Sequence, residues 1–217
     1  MRNERLETKM FTDPPIAFRE FAMAENLPLA TIHAAVLEFL RGRVDAAIFG
    51  AQAVNAYVDA PRMTQDVDVL SICAEAFSAE LSEHLHHQFH IAVRVRSVAS
   101  GSGYRIYQLR SPANRHLVNV RQTSVLPGCQ RIEEILVVTP VELIAMKVIS
   151  MEARPKTPKG LTDEVDLLRL LLTFPELKSG TGSVSDSLHR HNASDYALQI
   201  WQDLVVRDIR PENDDEY

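Results

Sequence analysis

The sequence predicts an α+β chain: a small mixed β-sheet with helices, followed by an all-helical C-terminal part. Three observations carry this. Short β-branched or alternating runs are mixed with helical patterns up to residue 139, and only helical patterns follow. The 217 residues, 46% hydrophobic and 24% charged, have globular composition and suffice for a core without staples. Two distant cysteines, Cys73 and Cys129, make neither a disulfide framework nor a zinc cluster, and they suit a reducing cytoplasm. The charged start MRNERLETKM does not read as a secretory leader, and no run approaches the ~18 apolar residues of a membrane span. A cytoplasmic protein without a membrane partner is the expectation.

Taken in order, Asp13-Pro14-Pro15 and Pro28 break any long early element. Thr31 is the expected cap of a helix carrying Ile32, Val36, Leu37 and Leu40. Ala46–Phe49 reads as a buried strand that ends at a Gly50 turn, and Ala51 to Tyr57 as a helix. Val67 to Cys73 is a second strand, and Glu75 to Phe89 is helical through Phe77, Leu81 and Leu85. Ile91–Val98, Tyr104–Arg110, His116–Gln122 and Glu134–Val138 are further strands, the first two joined through Gly101-Ser102-Gly103. Pro140 opens a helix to about Glu152, residues 154–160 form a loop, and Thr162 caps a helix from Asp163 to Phe174. Ser179–Ser187 is expected to be a mobile linker, Ser194 to Ile209 a last amphipathic helix, and Glu212–Glu216 a disordered acidic end. The expected organisation is therefore a core over 1–139 that includes an N-terminal helical segment, a helical part over 140–210, and a tail over 211–217.

The chemistry is concentrated between Phe49 and Leu70. Asp66 and Asp68 lie two apart on a predicted strand and share a face, while Val67 and Val69 point into a core. Like charges so placed are tolerated best with a cation between them, and carboxylates favour Mg²⁺ or Mn²⁺ over zinc. Gly50 lets backbone approach phosphates, and the helix start at Ala51 offers free N–H groups.

These residues resemble the nucleotidyltransferase superfamily of the polymerase-β-type fold, in which a Gly-Ser or Gly-Gly turn precedes an Asp-x-Asp strand. Here the turn is Gly50-Ala51, without the serine hydroxyl. Arg62-x-Thr64-x-Asp66-x-Asp68 more narrowly resembles the AbiEii-type toxins of abortive-infection and toxin–antitoxin systems. So do the helix with Lys147, the loop with Lys156 and Lys159, and Asp163-x-x-Asp166. The resemblance spans residues 46–172. It implies that Asp66 and Asp68 hold Mg²⁺ (or Mn²⁺) on the phosphates of a nucleoside triphosphate. It implies that Gly50, Ala51, Thr64 and Lys147 bind the nucleotide, and that Asp163 orients or deprotonates the acceptor. The acceptor would be an RNA such as tRNA, or a protein hydroxyl, and an antitoxin protein would be a partner. One departure stands out: Asn119 occupies the place of the family's third carboxylate, and an amide cannot act as a base. Either Asp163 substitutes, or the strand is misassigned, or the chain binds nucleotide or RNA without catalysis.

Residues 91–132 hold seven arginines and no Asp, Glu or Lys, in a chain of net charge −6. With Tyr104 and Tyr107 this block reads either as a nucleic-acid stripe or as a surface neutralising acidic helices. His84, His86, His87 and His90 lack the companions of a known zinc site and are read as a polar helix end.

Overall fold

The computed structural model describes residues 27–98 and 101–211. The early prolines at 14 and 15 and the acidic end Glu212–Glu216 lie outside them. Helix α1 (Leu29–Leu40) leads into strand β1 (Ala46–Phe49), short helix α2 (Gly50–Asn55) and strand β2 (Val67–Ser71). Helix α3 (Ala74–Phe89) is followed by strands β3 (Val93–Ser97), β4 (Gly103–Gln108), β5 (Arg115–Gln122), β6 (Cys129–Ile132) and β7 (Ile135–Val138). Helices α4 (Pro140–Ala153), α5 (Pro158–Thr173), α6 (Ser183–Arg190) and α7 (Asp195–Val206) follow.

All seven strands form one mixed sheet in the order β3-β4-β5-β2-β1-β7-β6. The centre is laid down by distant segments: β2 runs parallel to β5 and antiparallel to β1, and β1 runs parallel to β7. Strand alternation then sorts the residues. Val67, Val69, Ile106, Val118 and Val120 are fully buried on one face, where α3 covers β2 to β5 with Phe77, Leu81 and Leu85. The opposite face carries Asp68, Asn119 and Arg105 in cross-strand register. One hydrophobic cluster joins the sheet to Leu143, Leu167, Leu170 and Trp201 of the later helices. Among the described residues no helix is long and apolar enough to cross a membrane.

Several boundaries differ from the sequence reading, each for a local reason. Thr31 lies inside α1, whose N-cap is Pro28. Thr157, not Thr162, caps α5 by accepting from Gly160 N at 3.1 Å, because Pro158 fits the first helical position. Thr162 instead donates to the Pro158 carbonyl at 2.9 Å. The stretch 179–187 is not wholly a linker, since α6 begins at Ser183 and buries Val184 and Leu188. Buried Glu142 of α4 fastens α6: it accepts from Ser187 Oγ at 2.8 Å and pairs with Arg190 and His191 at 2.6 and 2.7 Å. Cys129–Ile132 is an edge strand against β7 that its mixed composition conceals.

Trp201, fully buried, pins the last helix to the common core. Trp201→Ala should therefore cost about 3–5 kcal/mol, read as a lowered denaturation midpoint with an unchanged denaturant slope. A change well below that would mean α7 is dispensable to the core.

Candidate active site

The site forms where the two central strands end. Phe49 of β1 lies opposite Asp68 of β2, and Asp68 lies beside Asn119 of β5. Asn119 Nδ2 donates to Asp68 Oδ1 at 2.9 Å. Gly50 follows directly with φ +68, and a Cβ there would collide with Asp68 Oδ2. Glycine is therefore required twice, for the left-handed backbone and for the space the carboxylate fills.

Asp66 precedes β2, which starts at Val67. Its backbone carbonyl accepts from Thr64 Oγ1 at 2.8 Å, and its Oδ2 lies 3.0 Å from His116 Nδ1. A register shift at Ile106/Tyr107 pairs Tyr107 with His116 and Ile106 with Val118, so Leu117 is the extra residue. This bulge keeps His116 on the face of Asn119 although the two are an odd number of positions apart. Without it His116 would not reach Asp66.

The carboxylates have opposite electrostatics. Burial raises the Asp68 pKa, with a further push from Asp66, against the pull of Asn119, Lys159 and Arg121. The His116 hydrogen bond lowers that of Asp66, outweighing its burial. Asp68 is thus a half-buried hard oxygen donor whose one hydrogen-bond donor among the described residues is a neutral amide, and a cation would relieve it. Carboxylate oxygens of this type suit a divalent cation of the Mg²⁺ or Mn²⁺ kind, which needs few protein ligands. Among the described residues no group of three or more His, Cys, Asp or Glu is arranged for a metal. The histidine stretch of α3 accordingly makes other contacts: His84 packs on Phe39, and His86 Nδ1 lies 2.8 Å from the Ile91 carbonyl.

Asp68 opens onto a cavity of about 240 Å³. Gly50, Asp68 and Asn119 form one side, and Lys147 and Asp163 another. Arg105, Arg121, Arg154 and Lys159 also reach the wall, so five cationic side chains face two carboxylates. Ala51, Thr64 and Asp66 lie outside this wall. Such a space suits a multiply charged anion.

Behind the wall is a buried ion network. Lys147 Nζ donates to Asp163 Oδ1 at 2.8 Å and to Asp166 Oδ2 at 2.6 Å. Arg62 grips Asp166 through two nitrogens, at 2.6 and 2.8 Å. Ser150 Oγ donates to Asp163 Oδ2 at 2.6 Å, and Arg154 Nη2 stands 3.4 Å from the same oxygen. The lysine is thereby held between two aspartates rather than free. Arg62 and Asp166 were visible in the sequence as motif positions, but their partnership was not. His116, Ser150 and Arg154 have no sequence signal of their own.

Two predictions follow from these surroundings. Asp166 is 1% exposed in its side chain, and removing it takes the shared counter-charge from buried Lys147 and half-buried Arg62. Asp166→Ala should cost about 3–5 kcal/mol by equilibrium denaturation, and a near-neutral result would show the network to be solvated. Asp68 has the opposite sign: its raised pKa means that ionisation costs stability at neutral pH, and the cost vanishes as pH falls through the folded-state value. Asp68→Asn should raise the melting temperature at neutral pH, with a gain that shrinks towards acid. A pH-independent gain would rule out the electrostatic account.

No protein-family model matches the sequence, and no curated protein matches it. Solved structures do match the fold. A polyadenylate synthase of Megavirus superposes with a TM-score of 0.55 at 13% identity, over 81% of this chain and 41% of that one. A putative nucleotidyltransferase from H. pylori superposes with a TM-score of 0.50 at 11% identity, over 82% of this chain and 90% of that one. The chain thus spans about two fifths of the viral enzyme and nearly all of the bacterial protein. With its mixed sheet and the placement of Gly50 beside Asp68, this protein has the nucleotidyltransferase fold.

Proposed function

We propose that this chain is a metal-dependent nucleotidyltransferase that moves a nucleoside monophosphate from a triphosphate to a hydroxyl of RNA or protein. The observation that carries this is the cavity that half-buried Asp68 shares with five cationic side chains. Asp68 and Asp66 would hold Mg²⁺ or Mn²⁺, which when bound neutralises phosphate charge. Asp66 would exchange its His116 contact for that role. Arg121, Arg154 and Lys159 would bind the phosphate oxygens. Lys147 adds a fixed charge that Asp163 and Asp166 keep in place.

The acceptor hydroxyl oxygen bonds to the α-phosphorus, the bond from that phosphorus to the bridging oxygen breaks, and pyrophosphate leaves. Asn119 cannot take the hydroxyl proton, which passes to water. Asp163 accepts from Lys147 and Ser150 and is ion-paired with Arg154, and a carboxylate has about four acceptor sites, so acceptor capacity remains to orient the hydroxyl. Such transfer is mainly positioning and charge neutralisation, which a site without a dedicated base can still supply.

The narrower AbiEii-type toxin reading, with an antitoxin as partner, is supported by the way its two motifs meet, Arg62 of the first on Asp166 of the second. A second reading, a degenerate member that binds nucleotide or RNA without turnover, is favoured by the Asn119 amide on Asp68 and by Ala51 in the turn.

Each labelled triphosphate should be incubated with the protein, total RNA and Mg²⁺. Labelled product and pyrophosphate are expected, and Asp66→Asn with Asp68→Asn should reduce both to background while the fold is retained. A well-folded double variant with full turnover would overturn the proposal. Metal-dependent nucleotide binding without turnover in the parent would establish the degenerate reading.

A further inference from the structure

The cavity is the inner end of a longer polar face. Asp68, Asn119, Arg105 and Arg96 stand in one cross-strand row, from the central strand Val67–Ser71 out to the edge strand Val93–Ser97. At roughly 4.8 Å per strand, the row runs about 14 Å. A second row lies beside it: Arg94 opposite Tyr107, and Tyr107 opposite His116. The Tyr107 and His116 rings are 5.0 Å apart and inclined by 35°, and the Arg96 guanidinium lies 5.8 Å from the Tyr107 centroid.

Arg94, Arg96 and Arg105 are exposed, and none forms an ion pair among the described residues. No acid or lysine occurs between residues 91 and 132. The idea that this block neutralises acidic helices would require acids to meet these guanidinium groups, and among the described residues none pairs with them. Alternation puts the strands' apolar residues on the opposite face, so the charge is one-sided.

Resting on the nucleotidyl-transfer reading, we propose that this face binds the acceptor, and that the acceptor is a single-stranded RNA. Its phosphates lie on Arg94, Arg96 and Arg105, a base lies against Tyr107, and its terminal hydroxyl enters the cavity between Asp68 and Asp163. Guanidinium groups with an aromatic platform are the chemistry of single-strand binding. A cavity of about 240 Å³ admits one strand end but not a duplex. An acidic protein surface would use the arginines but neither the ring nor the cavity.

The test uses the full chain and a fluorescent single-stranded RNA of mixed sequence, with anisotropy followed over a range of salt. Arg94→Gln with Arg96→Gln should weaken RNA binding at least tenfold. It should lower the log–log salt slope by up to about 1.4 and act almost equally on different sequences. Both residues are exposed and lie outside the cavity wall, so melting temperature and Mg²⁺–triphosphate binding should not change. Unaltered RNA affinity in a folded variant would overturn the inference. So would equal affinity of the parent for polyglutamate, which would point to an acidic protein. A parent that binds and turns over triphosphate but ignores RNA also overturns it, leaving the transferase reading intact. A parent that binds RNA through these arginines yet never binds triphosphate overturns the transferase reading and leaves the face standing.

Discussion

The arrangement of the site depends on one interaction, the two-point grip of Arg62 on Asp166. Arg62 belongs to the segment that leads into the central strand bearing Asp68, and Asp166 belongs to the long helix Pro158–Thr173. Lys147 carries the connection to a second helix by sharing Asp166 and Asp163. The two walls of the cavity are thereby fixed relative to each other. Such buried pairs add little net stability over a well-packed apolar alternative, because desolvation consumes much of the attraction. Their value here is registry: a planar fork on a carboxylate tolerates few orientations.

Two aspartates, one buried and one half-buried, show how partners decide what a carboxylate can do. Burial alone pushes both upward in pKa. For Asp166 the Arg62 and Lys147 charges more than offset this, so the group stays ionised and structural. For Asp68 the offset comes from an amide and from more distant cations, and the upward push prevails. The first is a completed interaction, and the second is an incomplete one that bound charge would finish. This is the pattern expected when function resides in what the fold leaves unsatisfied.

Much of this was legible in the sequence where local rules govern. β-Branched runs such as Val67–Leu70 gave the central strands, and the Asp-x-Asp spacing with Gly50 gave the neighbourhood of the cavity. What escaped was set by tertiary contacts. The place of His116 comes from a bulge at Leu117, which no alternation pattern reveals. The helix at Ser183 shows only two buried apolar residues and owes its place to Glu142, forty-five positions earlier at Ser187. Lys147 reads as a nucleotide-binding lysine in a linear motif, yet its ammonium is held by two carboxylates one helix away.

The separation of Arg62 from Asp166 has a further consequence, for the order of events during synthesis. The two residues are 104 positions apart, and the strand Ile135–Val138 must also return to pair with Ala46–Phe49. Long-range closures of this kind are made late, after local helices and hairpins. A ribosome-bound chain that has exposed both Asp66 and Asp68 still lacks Lys147, Asp163 and the clamp. The cavity can therefore close only once the helix through Asp166 has emerged, so unfinished chains carry the motif without the pocket.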